Sequence, residues 1–119
     1  MKSQFLQYPK CGTCQKATKW LNAHTIERDT RDITIVRPSR EELSTWIEKS
    51  NLPIQRFFNT SGLIYKELNL KDKVKTASKD ELLDLLASNG KLVKRPIFVK
   101  GDTVLVGFKE EEWTNLIEK

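Results

Sequence analysis

The feature that most constrains the fold and chemistry of this chain is a pair of cysteines separated by two residues. They lie where a strand is predicted to pass into a helix. Residues 4–8 (QFLQY) form a short apolar and aromatic run that predicts a first strand. Ala17, Trp20 and Leu21 then follow helical spacing. Residues 11–14 (CGTC) therefore lie in the loop that joins the strand to the start of the helix.

The start of a helix gives a physical reason for reactivity at Cys11. The thiolate, and not the thiol, is the nucleophile in thiol chemistry. Unpaired N–H groups and the positive end of the helix dipole favour a negative sulfur there. We expect Cys11 to attack and Cys14, one turn deeper, to resolve a mixed disulfide on Cys11. Gly12 lets the backbone bend tightly, and we expect Gly12 and Thr13 to contact substrate.

Two other interpretations of the cysteine pair have to be weighed. A structural zinc site needs about four ligands, and His24, ten residues beyond Cys14, is the one histidine in the chain. A pair of inert buried thiols is the second alternative. The strand-loop-helix context favours redox chemistry over both, without a metal or an organic cofactor. His24 lies too far along the helix to act as a base for Cys11, so we interpret it as a helix-end residue.

Length, composition and charge narrow the class of protein. The 119 residues fit one soluble domain (1–119), with 38% hydrophobic and 31% charged residues. The net charge of +5 is spread among interleaved acids. We therefore interpret the densest basic stretches, residues 71–79 and 91–95, as solvated surface, and we expect no direct binding to nucleic acid.

The sequence also bears on the cellular location of the protein. The first residues lack the apolar core of a signal peptide, and no apolar run approaches the length of a membrane span. We expect a cytoplasmic monomer without a membrane association. Structural disulfides are rare in the cytoplasm, and one that closed so short a loop would stabilise little. Both arguments favour a redox pair over a structural bond.

The order of predicted elements indicates an α/β fold. Residues 26–36, with partial alternation clearest at Ile33 and Ile35, predict a second strand and its exit, and residues 95–99 and 103–106 predict two more strands. Gly101-Asp102 predicts the two-residue turn of a hairpin. We predict a thioredoxin-like core made of residues 1–38 and 91–119.

The remaining segment, residues 39–90, is predicted to be a helical insertion in that core. Ser39 with Glu42 and Ser78 with Glu81 have the spacing of capping boxes. Residues 54–77 have no clean period and predict short helices and turns. Asn89-Gly90 is predicted to stop the last helix of the block.

Arg95-Pro96 is the second feature with chemical interest. A proline that begins a strand beside a C-x-x-C motif suggests a cis peptide bond, which would bring the preceding backbone close to the sulfurs. An ordinary trans proline at a strand edge is the alternative. Arg95 is a candidate to hold a thiolate or an oxyanion, with Pro96 beside the substrate; a solvated surface cation is the other interpretation.

Taken together, these motifs resemble the arsenate reductase–Spx family. The resemblance covers essentially the whole chain. It is carried, in order, by residues 8–14 (YPKCGTC), 57–62 (FFNTSG), 65–70 (YKELNL), 95–97 (RPI) and 107–108 (GF). It implies a thioredoxin-like fold with an inserted helical subdomain and a cis bond at Pro96.

The resemblance also implies two classes of function. Arsenate reductases of this family use one cysteine, matching Cys11, and hold the oxyanion with three arginines. Arg95 matches one of them, while Asn59 and Gly107 stand at the other two positions. A thiol oxidoreductase supplied with electrons by glutathione, thioredoxin or a similar thiol is therefore expected, with arsenate reduction in doubt. The alternative is a redox-switch regulator that, like Spx, binds RNA polymerase.

Overall fold

Within residues 3–117, four strands build one mixed sheet. A computed structural model describes the backbone of residues 3–117 and the side chains of residues 3–115. The strands are β1 (Ser3–Gln7), β2 (Arg28–Asp32), β3 (Ile97–Lys100) and β4 (Thr103–Val106). Their order in the sheet is β2-β1-β3-β4, with β1 parallel to β2 and antiparallel to β3, and with β3 antiparallel to β4.

Six α-helices surround this sheet in the described part of the chain. They are α1 (Gly12–Ala23), α2 (Arg40–Ser50), α3 (Leu63–Glu67), α4 (Leu70–Thr76), α5 (Lys79–Ser88) and α6 (Glu110–Ile117), with short 3-10 helices at Ile54–Phe57 and Gly90–Leu92. Four of the six lie between β2 and β3, in the segment predicted to be helical. The mixed sheet with helices matches the predicted thioredoxin-like class.

Each face of the sheet buries its own apolar cluster, because successive strand residues point to opposite sides. Phe5 and Phe98 pack with Trp20 of α1 and Trp113 of α6. Leu6, next to Phe5, faces the other way and joins the cluster formed by the inserted helices. All three tryptophans, Trp20, Trp46 and Trp113, are buried.

The second strand differs from the prediction. β2 consists of the polar residues Arg28–Asp32 and pairs with β1 alone, so its side chains stay largely accessible. Ile33 follows the strand and is buried, whereas Ile35 is 78% exposed. The Asp32 carboxylate accepts hydrogen bonds from the backbone N–H and the hydroxyl of Thr34, which turns the chain at that point. The apparent alternation of the isoleucines is therefore part of a turn.

The end of α5 also has a different cause from the one predicted. Asn89 is extended, with φ −156°, instead of adopting a left-handed cap. Gly90 begins the next 3-10 helix and packs against the backbone of Ile33, where a Cβ atom would lie 2.0 Å from the carbonyl oxygen. Glycine is required here for close approach between two segments, because any side chain would collide with backbone.

Other local predictions are confirmed. Ser39 caps α2 with the reciprocal hydrogen bonds of a capping box. At the start of α5 the predicted second capping box forms only in part: the Ser78 hydroxyl accepts from the backbone N–H of Glu81, without a reciprocal bond from the Ser78 N–H to the Glu81 side chain among the described residues. Gly101, with φ +58°, and Asp102 connect β3 to β4. The Arg95-Pro96 peptide bond is cis. Within residues 3–117, no helix has the length and apolar character that crossing a membrane requires.

Candidate active site

Cys11 is the N-cap residue of α1. Its backbone is extended, its N–H donates to the carbonyl of Tyr8 at 3.0 Å, and its own carbonyl accepts from Gln15 at 3.0 Å. The side chain makes no capping hydrogen bond. The Cys11 thiol is partly exposed and free. The sulfur therefore lies where the first N–H groups of the helix are unpaired.

The surroundings of Cys11 favour its thiolate. Partial burial raises the pKa of Cys11, but nearby polar groups outweigh that effect and lower the net pKa from the ordinary thiol value. The groups that lower the pKa are the backbone N–H and the thiol of Cys14, the backbone N–H of Thr13 and the Arg95 guanidinium. The N-terminus of the helix and the guanidinium thus both stabilise the Cys11 thiolate, as is typical of reactive cysteines.

Cys14 has the opposite character. It is fully buried, and burial is the main reason why its pKa is raised to about 12. The proximity of Cys11 raises it further, while the backbone N–H of Tyr8, 3.4 Å from Sγ, and the charge of Arg95 oppose the rise. Both cysteines are reduced in this structure, and the two thiols differ strongly in acidity.

The aromatic ring of Tyr8 contacts Arg95 and so joins it to the loop that carries Cys11. This contact was not predicted from the sequence. The Cζ atom of Arg95 lies 5.0 Å from the centroid of the Tyr8 ring, and its Nη1 donates to the carbonyl of Lys91 at 3.3 Å. The backbone of Tyr8 contacts both cysteines through the two hydrogen bonds described above. One residue therefore links the cysteine loop to the arginine.

Removing the Tyr8 ring is expected to weaken the effect of Arg95 on Cys11. In Tyr8→Leu the backbone contacts remain but the cation–π contact, worth about 0.5–1 kcal/mol, is lost. We expect the pKa of Cys11 to rise and its alkylation at neutral pH to slow by about two- to fivefold. Alkylation rates measured across pH would show this, and Tyr8→Phe should retain the wild-type profile. An unchanged profile in Tyr8→Leu would contradict this role.

A cavity of about 480 Å³ opens beside Cys11. Of the predicted site residues, Cys11, Thr13 and Arg95 line it, whereas Cys14, Gly12 and Pro96 do not. Pro96 is buried, and its carbonyl accepts from the N–H of Gly107 at 2.8 Å.

Part of the cavity wall was not predicted from the sequence. Three further cations line it, namely Arg56, Lys94 and Lys109. Lys94 belongs to the basic stretch 91–95 that was interpreted as solvated surface; its side chain is exposed, and it also lines the cavity. The only signal in the sequence was its position next to Arg95. Arg56 and Lys109 lie far from Cys11 in sequence and reach the cavity through the fold.

The alternatives for the cysteines and for His24 can also be located. Among the described residues, no group of three or more His, Cys, Asp and Glu side chains is placed to hold a metal ion. His24 caps the end of α1, where its ring stacks on Trp20 at 4.1 Å and its Nδ1 lies 2.8 Å from the Trp20 carbonyl oxygen. That position fits the helix-end interpretation.

Comparison with known proteins places this arrangement in a family. The ArsC family model matches residues 6–116 of this chain. The chain belongs to the ArsC family. YusI of Bacillus subtilis is 52% identical over 113 residues, covering 95% of this chain and 96% of that protein. The B. subtilis regulatory protein MgsR is 34% identical over 115 residues, covering 97% of this chain and 90% of MgsR.

A solved structure supports the same assignment. The crystal structure of an ArsC family related protein from Bacteroides fragilis superposes with a TM-score of 0.94 at 56% identity, and the match covers 98% of each chain. The resemblance found from the motifs is therefore confirmed at the level of family and fold.

Within this ArsC-family chain, the two positions at which arginine is implied for arsenate reductases both lie at the cavity. Asn59 donates from Nδ2 to the carbonyl of Lys91 at 3.4 Å, the same carbonyl that Arg95 contacts. Gly107 adopts φ +77°, a conformation that disfavours any side chain. A Cβ atom there would lie 3.5 Å from Cε of Lys94. Lys94 thus lies next to Gly107, one of the two positions at which the resemblance implies a guanidinium.

Proposed function

We propose that this protein is a thiol–disulfide oxidoreductase in which Cys11 attacks and Cys14 resolves. The observation that carries the proposal is the contrast between the two thiols: Cys11 is accessible with a lowered pKa, and Cys14 is buried with a pKa of about 12. In such a pair, only Cys11 is a nucleophile at neutral pH. Arg95 stabilises its thiolate, and a thiol such as glutathione or thioredoxin returns the pair to the reduced state.

The same contrast explains how the second step follows the first. When Cys11 forms a mixed disulfide its negative charge disappears, and with it the charge repulsion that raises the pKa of Cys14. Arg95, which lowers that pKa, no longer has the Cys11 thiolate beside it. Cys14 therefore becomes a better nucleophile at the moment when its attack on Cys11 is required.

Alkylation across pH tests the proposal. The reduced protein is treated with iodoacetamide at pH 5 to 10, and peptides that carry each cysteine are quantified by mass spectrometry. We expect Cys11 to be alkylated at a lower pH than a free thiol, because its thiolate is stabilised, and Cys14 to stay unmodified up to pH 10 in the folded protein. A free cysteine peptide is the control. Equal, slow alkylation of both residues would contradict the assignment.

A redox-switch regulator is the second candidate. The identity with MgsR extends over nearly the whole chain, so the same fold serves a protein named as a regulator. The partner would be RNA polymerase, as expected from the resemblance to Spx. Capture of polymerase subunits by either the oxidised or the reduced protein, compared with Cys11→Ser, would favour this function; failure of both states to capture a subunit would remove it.

A further inference from the structure

The cavity beside Cys11 is cationic on several sides. Arg56 comes from the 3-10 helix Ile54–Phe57, Lys94 and Arg95 precede β3, and Lys109 follows β4. None of the described residues that line the cavity is acidic. Three separate segments thus bring four positive charges around one partly exposed thiol.

Within residues 3–115, three of these cations have no carboxylate partner. Arg31, Arg40 and Lys49 each form ion pairs with carboxylates elsewhere on the surface. Across residues 3–115, the side chains of Arg56, Lys94 and Lys109 form neither an ion pair nor a hydrogen bond, and all three are exposed. Their charges are therefore available to an external anion.

The size of the cavity argues for an organic ligand. Pockets for small organic molecules measure about 300–1,000 Å³, and this one, at about 480 Å³, falls within that range. A compact oxyanion is held by donors that converge on one point, but Asn59 and Gly107 leave two such positions without a cation. Phe58 and Phe108 add apolar wall to the cavity. An extended molecule with separated charges fits this distribution better than a tetrahedral anion.

We propose that Arg56, Lys94 and Lys109 make this site selective for disulfides that carry carboxylates close to the S–S bond. The proposal rests on the thiol–disulfide exchange assigned above and names its substrate class. The carboxylates contact the exposed cations while one sulfur of the substrate faces Cys11. Charged cavity walls also raise the local concentration of a ligand of opposite charge.

The reaction balances within the protein and its substrate. The Cys11 thiolate attacks one sulfur of R–S–S–R, a bond forms between Cys11 and that sulfur, and R–S⁻ leaves. Cys14 loses its proton to solvent and attacks Cys11 Sγ, which releases the second R–S⁻ and leaves a Cys11–Cys14 disulfide. The substrate gains two electrons and the protein loses two. A thiol reductant then restores both cysteines.

Three symmetrical disulfides of different charge test the selectivity. They are 3,3′-dithiodipropionate, with charge −2, bis(2-hydroxyethyl) disulfide, which is neutral, and cystamine, with charge +2. The rate at which each oxidises the reduced protein is measured by intact mass after acid quenching. Each rate is divided by the rate of the same disulfide with free 2-mercaptoethanol, which corrects for intrinsic reactivity.

We expect the normalised second-order rate constant for the dianion to exceed that for the neutral disulfide by about tenfold at low ionic strength, with cystamine slowest. The preference should shrink as salt screens the charges. In the triple variant Arg56→Gln, Lys94→Gln, Lys109→Gln the preference should fall to about twofold or less. The matched control Lys71→Gln, Lys73→Gln, Lys79→Gln removes the same net charge from exposed residues of α4 and α5 and should keep it.

The outcomes separate this proposal from the one on which it rests. If the neutral disulfide reacts but the charge of the disulfide has no effect, the selectivity is wrong and the oxidoreductase function stands. If the control variant loses the preference as fully as the triple variant, net charge and not the cavity is responsible, which also overturns the selectivity. If none of the three disulfides oxidises Cys11, the oxidoreductase function itself fails.

Discussion

Replacing Cys11 by serine is expected to abolish oxidation of this protein by disulfides, whereas replacing Cys14 is expected to stop the reaction halfway. Cys11 is the thiol with the lowered pKa and the only one of the pair that lines the cavity. Loss of a nucleophile that acts in concert with its surroundings commonly reduces a rate by about 10⁴-fold or more. Cys14, buried with a pKa of about 12, cannot replace it at neutral pH.

Intact mass distinguishes the two variants after mixing with glutathione disulfide. The wild type should lose two hydrogen atoms as its internal disulfide forms. Cys14→Ser should keep one glutathione adduct on Cys11, because no second thiol can displace it. Cys11→Ser should stay unchanged. Adduct formation on Cys14 in Cys11→Ser at the wild-type rate would contradict the assignment of the two roles.

Serine at position 14 introduces a hydroxyl into a buried site, so folding has to be checked. The hydroxyl can accept from the Tyr8 backbone N–H, which now donates to the sulfur. Cys14→Ala, which removes this acceptor without adding a polar group, provides a second variant for the same measurement. Circular dichroism melts of both would show whether loss of the second step reflects chemistry and not unfolding.

The parts of this fold that the sequence predicts are those with local causes. A strand, a C-x-x-C loop and a helix follow one another along residues 3–23, and the hydrogen bonds that shape the turn at Cys11 join near neighbours. The Gly101-Asp102 turn and the Ser39 cap are likewise set by residues in contact along the chain. Local chemistry of this kind can be recognised without knowing the tertiary structure.

The failures of prediction have tertiary causes. β2 is a strand because β1 offers an edge for pairing, although its own sequence, RDTRD, is polar. Gly90 is needed because the backbone of Ile33, 57 positions earlier in the chain, packs against it. Neither effect leaves a periodic pattern in the local sequence. A propensity or a turn motif cannot report a contact between segments so far apart.

The candidate site likewise contains residues that a local motif predicts and residues that only the tertiary structure brings together. Cys11, Cys14 and Arg95 could be named from motifs, but the ring of Tyr8 under Arg95 and the cations at the cavity could not. Lys94 and Lys109 line the same cavity as Cys11 because β3 pairs with β1, and β4 with β3, in one sheet. Charge distribution at a site is a property of the folded chain, so an even spread of charge in sequence does not exclude a cationic cavity.

Arsenate reduction by this protein is expected to be slower than reduction by a dedicated arsenate reductase by about two to four orders of magnitude. By analogy with phosphate, arsenate carries about two negative charges at neutral pH. The Cys11 thiolate repels such an anion unless cations lie between them. Arg95 provides one planar guanidinium near Cys11, while Asn59 and Gly107 stand where two more are implied. Hydrogen bonds to charged groups contribute about 1.5–3 kcal/mol each, so two missing arginines cost about 3–6 kcal/mol.

The additional cations of the cavity reduce this deficit only in part. Lys94 and Lys109 carry point charges on flexible exposed chains, and a lysine does not reproduce the bidentate contact of a guanidinium. Arg56 is also exposed and has no contact that fixes its guanidinium within the described residues. Neutral disulfides carry no charge that requires a bidentate guanidinium contact. Exchange with them should therefore be unaffected by the absence of the two arginines.

Restoring the arginines should raise arsenate reduction. We expect Asn59→Arg combined with Gly107→Arg to increase the rate of arsenite formation from arsenate, measured with glutathione or thioredoxin as reductant. The second substitution has a conformational cost, because a side chain at the left-handed φ of +77° is disfavoured by about 1–2 kcal/mol. Asn59→Arg alone, which avoids that strain, should give part of the increase, and Asn59→Gln should give none.

Exchange with bis(2-hydroxyethyl) disulfide is the internal control, since a folded variant should perform it at the wild-type rate. A wild-type protein that reduces arsenate as fast as a dedicated enzyme would show that Arg56, Lys94 and Lys109 supply the missing contacts. A double variant that exchanges the neutral disulfide normally but gains no arsenate reduction would show that the absent arginines are not what limits this reaction.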